Sequence, residues 1–213
     1  MERITDDTSS MRTRSKDGHS VKHHHSFDGA ASFLLSEERR RWQNPSKIAD
    51  AAGIKQGWNV ADLGSGPCFF SLEIASRVGK EGLVYALDSS SVLLSTCCRL
   101  ASEKGYSNVL PLLADVENTL PIVDGKMDAV FLANVLHDFE KPKAVIDEAG
   151  RILKEKGLLI DLDWKKTDTG VGPPVEIRLS EEESSRIITS SVFSRIAVSE
   201  AGPFHYMITF RKR

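Results

Sequence analysis

Cysteine is scarce in this chain of 213 residues: Cys68, Cys97 and Cys98 are the three present, with no Cys-x-x-Cys pair and no metal-ligand spacing. An odd count with two adjacent members excludes a disulfide framework, so all three read as reduced thiols. Excess charge is missing too. The 28 Lys and Arg nearly balance 30 Asp and Glu, a net of -2, which excludes a chain-wide field that would recruit nucleic acid or an anionic membrane. Two basic clusters stand out locally, Arg39-Arg40-Arg41 and Arg211-Lys212-Arg213; the first directly follows Glu37-Glu38, and both read as solvated helix and tail charges. No run approaches the roughly 18 apolar residues of a membrane span, and the first thirty residues lack the apolar stretch of a secretory signal, so the expected setting is the cytoplasm. What remains, with 40% hydrophobic residues, 15 Gly and 8 Pro, is an ordinary globular composition for one domain.

Residues 1–26, rich in Ser, Thr, Asp, Arg and His, show no apolar periodicity and read as a mobile arm. His23-His24-His25 and nearby His19 are a cluster of the adventitious kind, and no metal site is assigned. From residue 27 to 213 a single domain is expected. Short apolar strands alternate with amphipathic helices, with Gly or Pro at the joints. The strands fall at 59–63, 83–87, 109–113, 127–133 and 158–162, with helices after 44, across 70–78, across 92–100 and across 142–153. Ser180 and Glu183 form a capping box for a last helix, and 196–198 with 206–210 read as a hairpin turned by Gly202-Pro203. Strands joined by helical crossovers imply an α/β fold, a doubly wound, seven-stranded, mostly parallel sheet of Rossmann-like type with its ligand crevice at the carboxyl ends of the strands.

The strand ends carry the chemistry. The first leads into Asp62-Leu63-Gly64-Ser65-Gly66-Pro67-Cys68, where glycines let backbone approach a ligand and the carboxylate accepts from amides or a cationic amine. Asp88 ends the second strand, 26 residues further on, as a bidentate acceptor for the two hydroxyls of a ribose, with Ser89 beside it. Asp115-Val116 follows the third strand, and Asn134-Val135-Leu136-His137 closes the fourth. As an ordered set these residues resemble the class I S-adenosylmethionine-dependent methyltransferases over roughly residues 40–165. The likeness is to small single-domain members related to those that methylate quinone precursors. Asp161-Leu162-Asp163-Trp164-Lys165-Lys166 with Gly172-Pro173-Pro174 also resembles a compact bacterial and archaeal subset.

The resemblance implies an antiparallel last strand and S-adenosylmethionine as methyl donor. It places Asp62, Gly64, Ser65 and Gly66 around the methionine portion with Asn134, Asp88 and Ser89 at the ribose, and Asp115 and Val116 at the adenine. One position departs from the family pattern: the third signature glycine is Cys68, which either crowds the ligand or is already helical and accommodated, the second being preferred. His137 and Asp138 are the candidates over the methyl group. His137 titrates near neutral pH and reads either as a base or as a positioning group, and Asp138 either takes part or caps the segment before Pro142. Trp42, Asp163 and Trp164 are substrate candidates. Phe33, Leu34, Leu35 and Trp42 read either as a lid or as packing on the sheet, and Lys165 and Lys166 either neutralise an acidic substrate or are solvated.

The expected partner is a small-molecule methyl acceptor, with no membrane and no nucleic acid; oligomeric state is not legible. Two rivals stand beside the enzyme. A nicotinamide-dependent oxidoreductase needs a glycine where this chain has Phe69. A non-catalytic methyltransferase-like partner subunit would suit Cys68 but leaves the acceptors Asp62, Asp88 and Asp115 without a reason.

Overall fold

The computed structural model describes residues 27–189 and 191–213; the expected mobile arm lies outside them. Three short helices come first, α1 (Phe27–Leu34), α2 (Glu37–Trp42) and α3 (Pro45–Ala51). Ser36 and Asn44 cap α2 and α3 by accepting the Arg39 and Lys47 amides, and Pro45 fills the first position of α3, where its missing N–H costs nothing. Then follow β1 (Asn59–Leu63), α4 (Ser71–Val78), β2 (Leu83–Asp88), α5 (Ser91–Glu103), β3 (Val109–Leu113), β4 (Met127–Ala133), α6 (Pro142–Ile152), β5 (Leu153–Trp164), α7 (Glu181–Thr189), β6 (Phe193–Glu200) and β7 (His205–Lys212).

The seven strands form one sheet in the order β3-β2-β1-β4-β5-β7-β6. β3, β2, β1, β4 and β5 run parallel; β7 is antiparallel to β5, and β6 is antiparallel to β7. Strand order reverses between β1 and β4, and such a switch point opens a crevice beyond the carboxyl ends. Alternate residues of each strand face opposite layers. Val60, Ala129, Ile160 and Met207 join the layer of α3, α4 and α5, whereas Ala61, Val130, Leu159 and Ile208 join that of α6 and α7.

Several expected boundaries shift for visible reasons. β5 is far longer than 158–162, because the exposed Lys154-Glu155-Lys156 run is a bulge: Lys156 has φ 62 and the register with β4 slips between Met127 and Ala129. Leu153 therefore starts β5 and does not end α6. β6 is longer than 196–198 because it is an edge strand whose residues after Phe193 are all exposed, leaving no apolar alternation to read. On α5 the buried residues are Leu93, Leu94, Cys97 and Ala101, while Val92 is exposed. The capping box of α7 is reciprocal: the Glu183 amide donates to Ser180 Oγ (3.2 Å) and the Ser180 amide to Glu183 Oε2 (2.7 Å).

Two expectations about cysteine are overturned. Cys68 and Cys97 form a disulfide, joining the turn after β1 to α5, and Cys98 alone is a free, exposed thiol. The pairing is long-range and leaves no local trace in sequence. Nor is Cys68 helical. Its φ is 66, the left-handed backbone that the glycine of the family pattern adopts without strain; α4 begins only at Ser71.

Candidate functional site

At the carboxyl ends of β1, β2, β4 and β5 lies a cavity of about 560 Å³. Its floor is the turn after β1. The Gly64 and Ser65 amides both donate to the Leu87 carbonyl of β2 (2.8 and 2.9 Å), which folds the turn over the strand ends. Gly64 has φ 75, and a Cβ there would lie 2.7 Å from Val135 Cγ1, so no larger residue fits. The Gly66 amide donates to Asp88 Oδ2 and the Ser90 amide to Asp88 Oδ1, each at 2.8 Å. Each oxygen of Asp88 keeps a lone pair for a ligand. Cys68 is fully buried in the core behind this floor, so its side chain does not crowd the cavity.

Asp62 lies on the wall yet is only 1% exposed. Burial pushes its carboxyl up to about 7 against the opposing Ser71 hydroxyl bond, with the charge of Asp88 adding and that of Arg39 subtracting. The hydroxyl donates to Asp62 Oδ2 at 2.5 Å. Asp88 is also raised by burial, against the amides it accepts. Ser65 Oγ is buried with no partner, a polar group that costs free energy unless a ligand engages it.

The opposite wall comes from the N-terminal helices. Arg39, expected in solvent, is buried at 6% exposure. Its guanidinium sits 4.1 Å over the Phe69 ring, and it donates to Gln43 Oε1 (2.8 Å) and the Leu34 carbonyl (3.0 Å). Burial, then the Arg40 charge, lowers it to about 10, with Asp62 opposing, so it keeps its charge at neutral pH. Gln43 and Asn134 exchange amide hydrogen bonds (3.2 and 3.1 Å), and Asn134 takes the left-handed φ of 59 at the end of β4. Trp42 stacks on His205 (5.4 Å, 5°) and lies 5.4 Å from Trp164. Leu34 and Phe33 complete this side, Phe33 half exposed.

The far end is formed by β5 and the turn Leu136–Asp138. His137 Nδ1 lies 2.7 Å from Asp163 Oδ1 and Nε2 lies 3.5 Å from Asp138 Oδ2. Burial lowers the ring's basicity, but the Asp163 hydrogen bond and the charges of Asp163, Asp138 and Asp161 outweigh it and raise the pKa above its usual value. The N-cap position of α6 is Lys141, and Asp138 stands in the turn that precedes it, beside the His137 ring. Arg178 organises the loop beyond Trp164 by donating to the carbonyls of Lys165, Thr167, Val171 and Pro173. Lys165 pairs with Glu200 and Lys166 with Glu183.

Of the residues singled out in sequence, the cavity brings together Asp62, Gly64, Ser65, Gly66, Asp88, Asn134, His137, Asp138, Trp42 and Trp164. Asp163 is fully buried behind His137. Ser89, Asp115 and Val116 are not on the wall. The Asp115 carboxylate is exposed and accepts the Glu117 amide (3.0 Å), whereas Val116 is buried in the α6 layer. Sequence reasoning missed Arg39, Gln43, Arg178 and His205, and the one available signal was Gly172: a Cβ there would strike the Trp164 ring at 2.7 Å. Among the described residues no group of His, Cys, Asp or Glu is placed to hold a metal ion, and no helix is long and apolar enough to cross a membrane.

Residues 54–188 match the family model of a methyltransferase domain. The chain is 25% identical over 142 residues to the demethylmenaquinone methyltransferase of Bacillus velezensis, covering 67% of this chain and 60% of that protein. It is 36% identical over 118 residues to a ubiquinone/menaquinone biosynthesis C-methyltransferase of Neisseria meningitidis, covering 55% and 47%. The chain thus spans about half the length of these curated relatives. Among solved structures, a SAM dependent methyltransferase from Aquifex aeolicus superposes with a TM-score of 0.82 at 28% identity, over 87% of this chain and 98% of that one.

Proposed function

We propose, because this chain belongs to the methyltransferase domain family, that it moves a methyl group from S-adenosylmethionine to a small-molecule acceptor in the cavity at the carboxyl end of the sheet. The observation that carries this is the joint placement of Asp88 and the Gly64–Gly66 turn on one wall. Asp88 is held by two backbone amides and keeps acceptor capacity for a ribose diol. The residues fit the donor in two further respects. The bare face of Gly64 lets backbone approach closely, and the orphaned Ser65 hydroxyl supplies a donor and acceptor that the protein itself leaves unused.

S-adenosylmethionine, when bound, supplies a methyl carbon on a positively charged sulfur. The work left to the chain is to hold that carbon and the acceptor in line and to exclude water. Asp62, Asp88, Ser65 and Asn134 would hold the donor; Trp42, Trp164 and Phe33 would flank the acceptor. The relatives' names point to quinone precursors; for this chain we keep to the broader class of small molecules. The partner-subunit alternative loses its one support, because the Cys68 side chain is buried in the core and leaves the cavity open. The oxidoreductase alternative is disfavoured by Phe69, which packs under Arg39 where a glycine would be required.

Calorimetric titration with S-adenosylmethionine and S-adenosylhomocysteine tests the proposal. Micromolar binding, weakened at least about tenfold in Asp88→Ala, roughly the loss of one good charged hydrogen bond, is the expected result. A folded wild-type protein that binds neither, or that binds NADH instead, rejects it.

A further inference from the structure

We propose that His137 and Asp163 form a proton-accepting pair at the acceptor end of the cavity, and hence that the acceptor is a hydroxylated molecule that sheds an O–H proton, not a thioether or tertiary amine that attacks with a free lone pair. This rests on the methyl-transfer reading and narrows its substrate.

The pair is assembled from two neighbouring parallel strands. β4 and β5 are in register up to Ala133 and Leu162, so the turn that follows β4 lies against the next residue of β5. That brings the Asp163 carboxylate to 2.7 Å from His137 Nδ1. The carboxylate accepts the Nδ1 hydrogen, which leaves the Nε2 lone pair of the neutral ring on the side of the cavity that His137 and Asp138 line, with Asp138 Oδ2 3.5 Å away to hold the proton once it arrives. Asp163 is itself fixed. It is fully buried, and its Oδ1 also accepts the Trp164 amide at 2.8 Å. Its second oxygen, Oδ2, has no partner, so this carboxylate is kept in the core short of its hydrogen bonds, an arrangement that costs free energy unless a cation forms beside it. An imidazolium at His137 is that cation.

The charged and titratable groups that face the ring are Asp163 and Asp161 from β5 and Asp138 from the ring's own turn. Asp161 is fully buried and accepts the Ser184 hydroxyl; burial and then the charge of Asp163 push its carboxyl above the ordinary range, with the Ser184 bond and the charge of His137 opposing. Tyr206 of β7, paired with Asp163 across the sheet, turns its hydroxyl to the Leu179 carbonyl and so does not compete for the ring. In the proposed step the acceptor's O–H bond breaks, its proton passes to Nε2 and its electron pair stays on the acceptor. That pair makes the new bond to the methyl carbon as the methyl–sulfur pair leaves with sulfur, and Nε2 afterwards returns the proton to water. Where the attacking atom is a carbon conjugated with the oxygen, the oxygen's pair forms a C=O bond while the conjugated π pair bonds to the methyl carbon; loss of that carbon's proton to water then restores the π pair and the oxyanion, which regains one proton from water. His137 is the catalytic residue here and Asp163 a positioning residue acting through it.

The test is a nitrogen NMR titration of the His137 ring, assigned with His137→Gln, in wild type and Asp163→Asn. A neutral wild-type ring protonated on Nδ1 with a bare Nε2, and a midpoint that falls by about one unit or more in Asp163→Asn, are expected. The pH–rate limb for methyl transfer to catechol should move down by the same amount, and His137→Gln should lose about a hundredfold or more in rate while S-adenosylhomocysteine affinity stays within about threefold. A wild-type ring protonated on Nε2 overturns the proposal, and this needs no variant to fold. So does an unchanged midpoint in Asp163→Asn, or transfer to dimethyl sulfide or trimethylamine that is equal in wild type and His137→Gln. If none of these acceptors is methylated, the ring titration alone decides. Failure of wild type to bind S-adenosylhomocysteine would strike the methyl-transfer reading instead, with the ring titration still readable.

Discussion

Binding of a cation beside Asp62 should release a proton, and the structure sets how much. Burial holds the Asp62 carboxyl at about 7, so at pH 6 it carries about 0.9 of a proton and at pH 8 about 0.1, by ordinary titration. A positive charge brought next to a carboxyl lowers its pKa by about 1–3 units, which would ionise Asp62 in the complex throughout most of this range. S-adenosylmethionine affinity should therefore be about tenfold weaker at pH 6 than at pH 8, or about 1.4 kcal/mol. Titration calorimetry at pH 6.5 in buffers of different ionisation enthalpy should count roughly 0.7 of a proton released per ligand. Uncharged 5′-methylthioadenosine, which would meet Asp88 but brings no cation, should release far less. Folding carries the opposite signature. The native state binds more protons than the unfolded chain between about pH 4 and 7, so stability falls as pH rises through that window, by up to about 4 kcal/mol. Asp62→Asn, whose side-chain oxygen can still accept from Ser71, should lose the proton release and melt higher than wild type at pH 8. Release that persists in the Asn variant, or no release from wild type, refutes the assignment of the cation to Asp62.

Gly64→Ala should cost about 2–4 kcal/mol, because a side chain at φ 75 costs about 1–2 and its Cβ would meet Val135 at 2.7 Å. Gly57→Ala, with φ 80 but its nearest neighbour at 3.9 Å, should show only the first cost in urea unfolding. Reduction of the Cys68–Cys97 bond, which spans 29 residues, should lower stability by up to about 3.5 kcal/mol on loop entropy; before reduction, iodoacetamide should label Cys98 alone, and labelling of all three cysteines in the native protein contradicts the pairing. His205→Phe should raise the melting temperature, since both ring nitrogens are buried without partners between Trp42 and Trp164. Burial, with the charges of Arg39, Arg178 and Lys165, pushes His205 down to about 3, so the unfolded chain binds the extra proton between there and about 6.5 and wild-type stability falls with pH in that range. The Phe variant should lose that part of the acid sensitivity, and an unchanged acid profile would show that His205 does not carry it.

The parallel half of the molecule was legible because its central strands β1 and β4 are buried on both faces, and its strands appear as short apolar runs ended by glycine or acid. Asp62 and Asp88 could be placed for that reason: each sits at a strand's carboxyl end, where the fold alone puts the crevice. The third strand's end follows the same logic, yet Asp115 is exposed and bonds its own turn, since a position after a strand does not fix which way a loop carboxylate faces. Cys68 misled twice. Positive φ is rare for a residue with a Cβ, and its partner Cys97 reads as one more apolar helix position. Arg39 misled for a different reason. In a run of three arginines beside two glutamates nothing marks one guanidinium for burial on a phenylalanine thirty residues away, a contact that exists only once α2 lies over the turn after β1.

The two sides of the cavity are built in different ways, and this bears on what each determines. The side at the turn after β1 is set largely by backbone: the Gly64 and Ser65 amides donate to Leu87 and the Gly66 amide to the Asp88 carboxylate, with the Cys68–Cys97 disulfide behind them. The other side is made of side chains from α1, α2 and the loop after β5, docked by the Trp42–His205 stack, the Gln43–Asn134 amide pair and Arg178. Backbone geometry tolerates little change in sequence, whereas rings and loop lengths can vary while the sheet stays intact. On the methyl-transfer proposal, the wall built on the Gly64–Gly66 turn would hold the donor, and Phe33, Trp42 and Trp164 would set the choice of acceptor. Asn134 belongs to both: it follows β4 at the turn side of the cavity and its amide pair with Gln43 fastens the end of α2 to that strand. Loss of its amide pair with Gln43 would remove the direct tie between α2 and the strand that presents His137, leaving the helix held by the Trp42–His205 stack and Arg39 on Phe69.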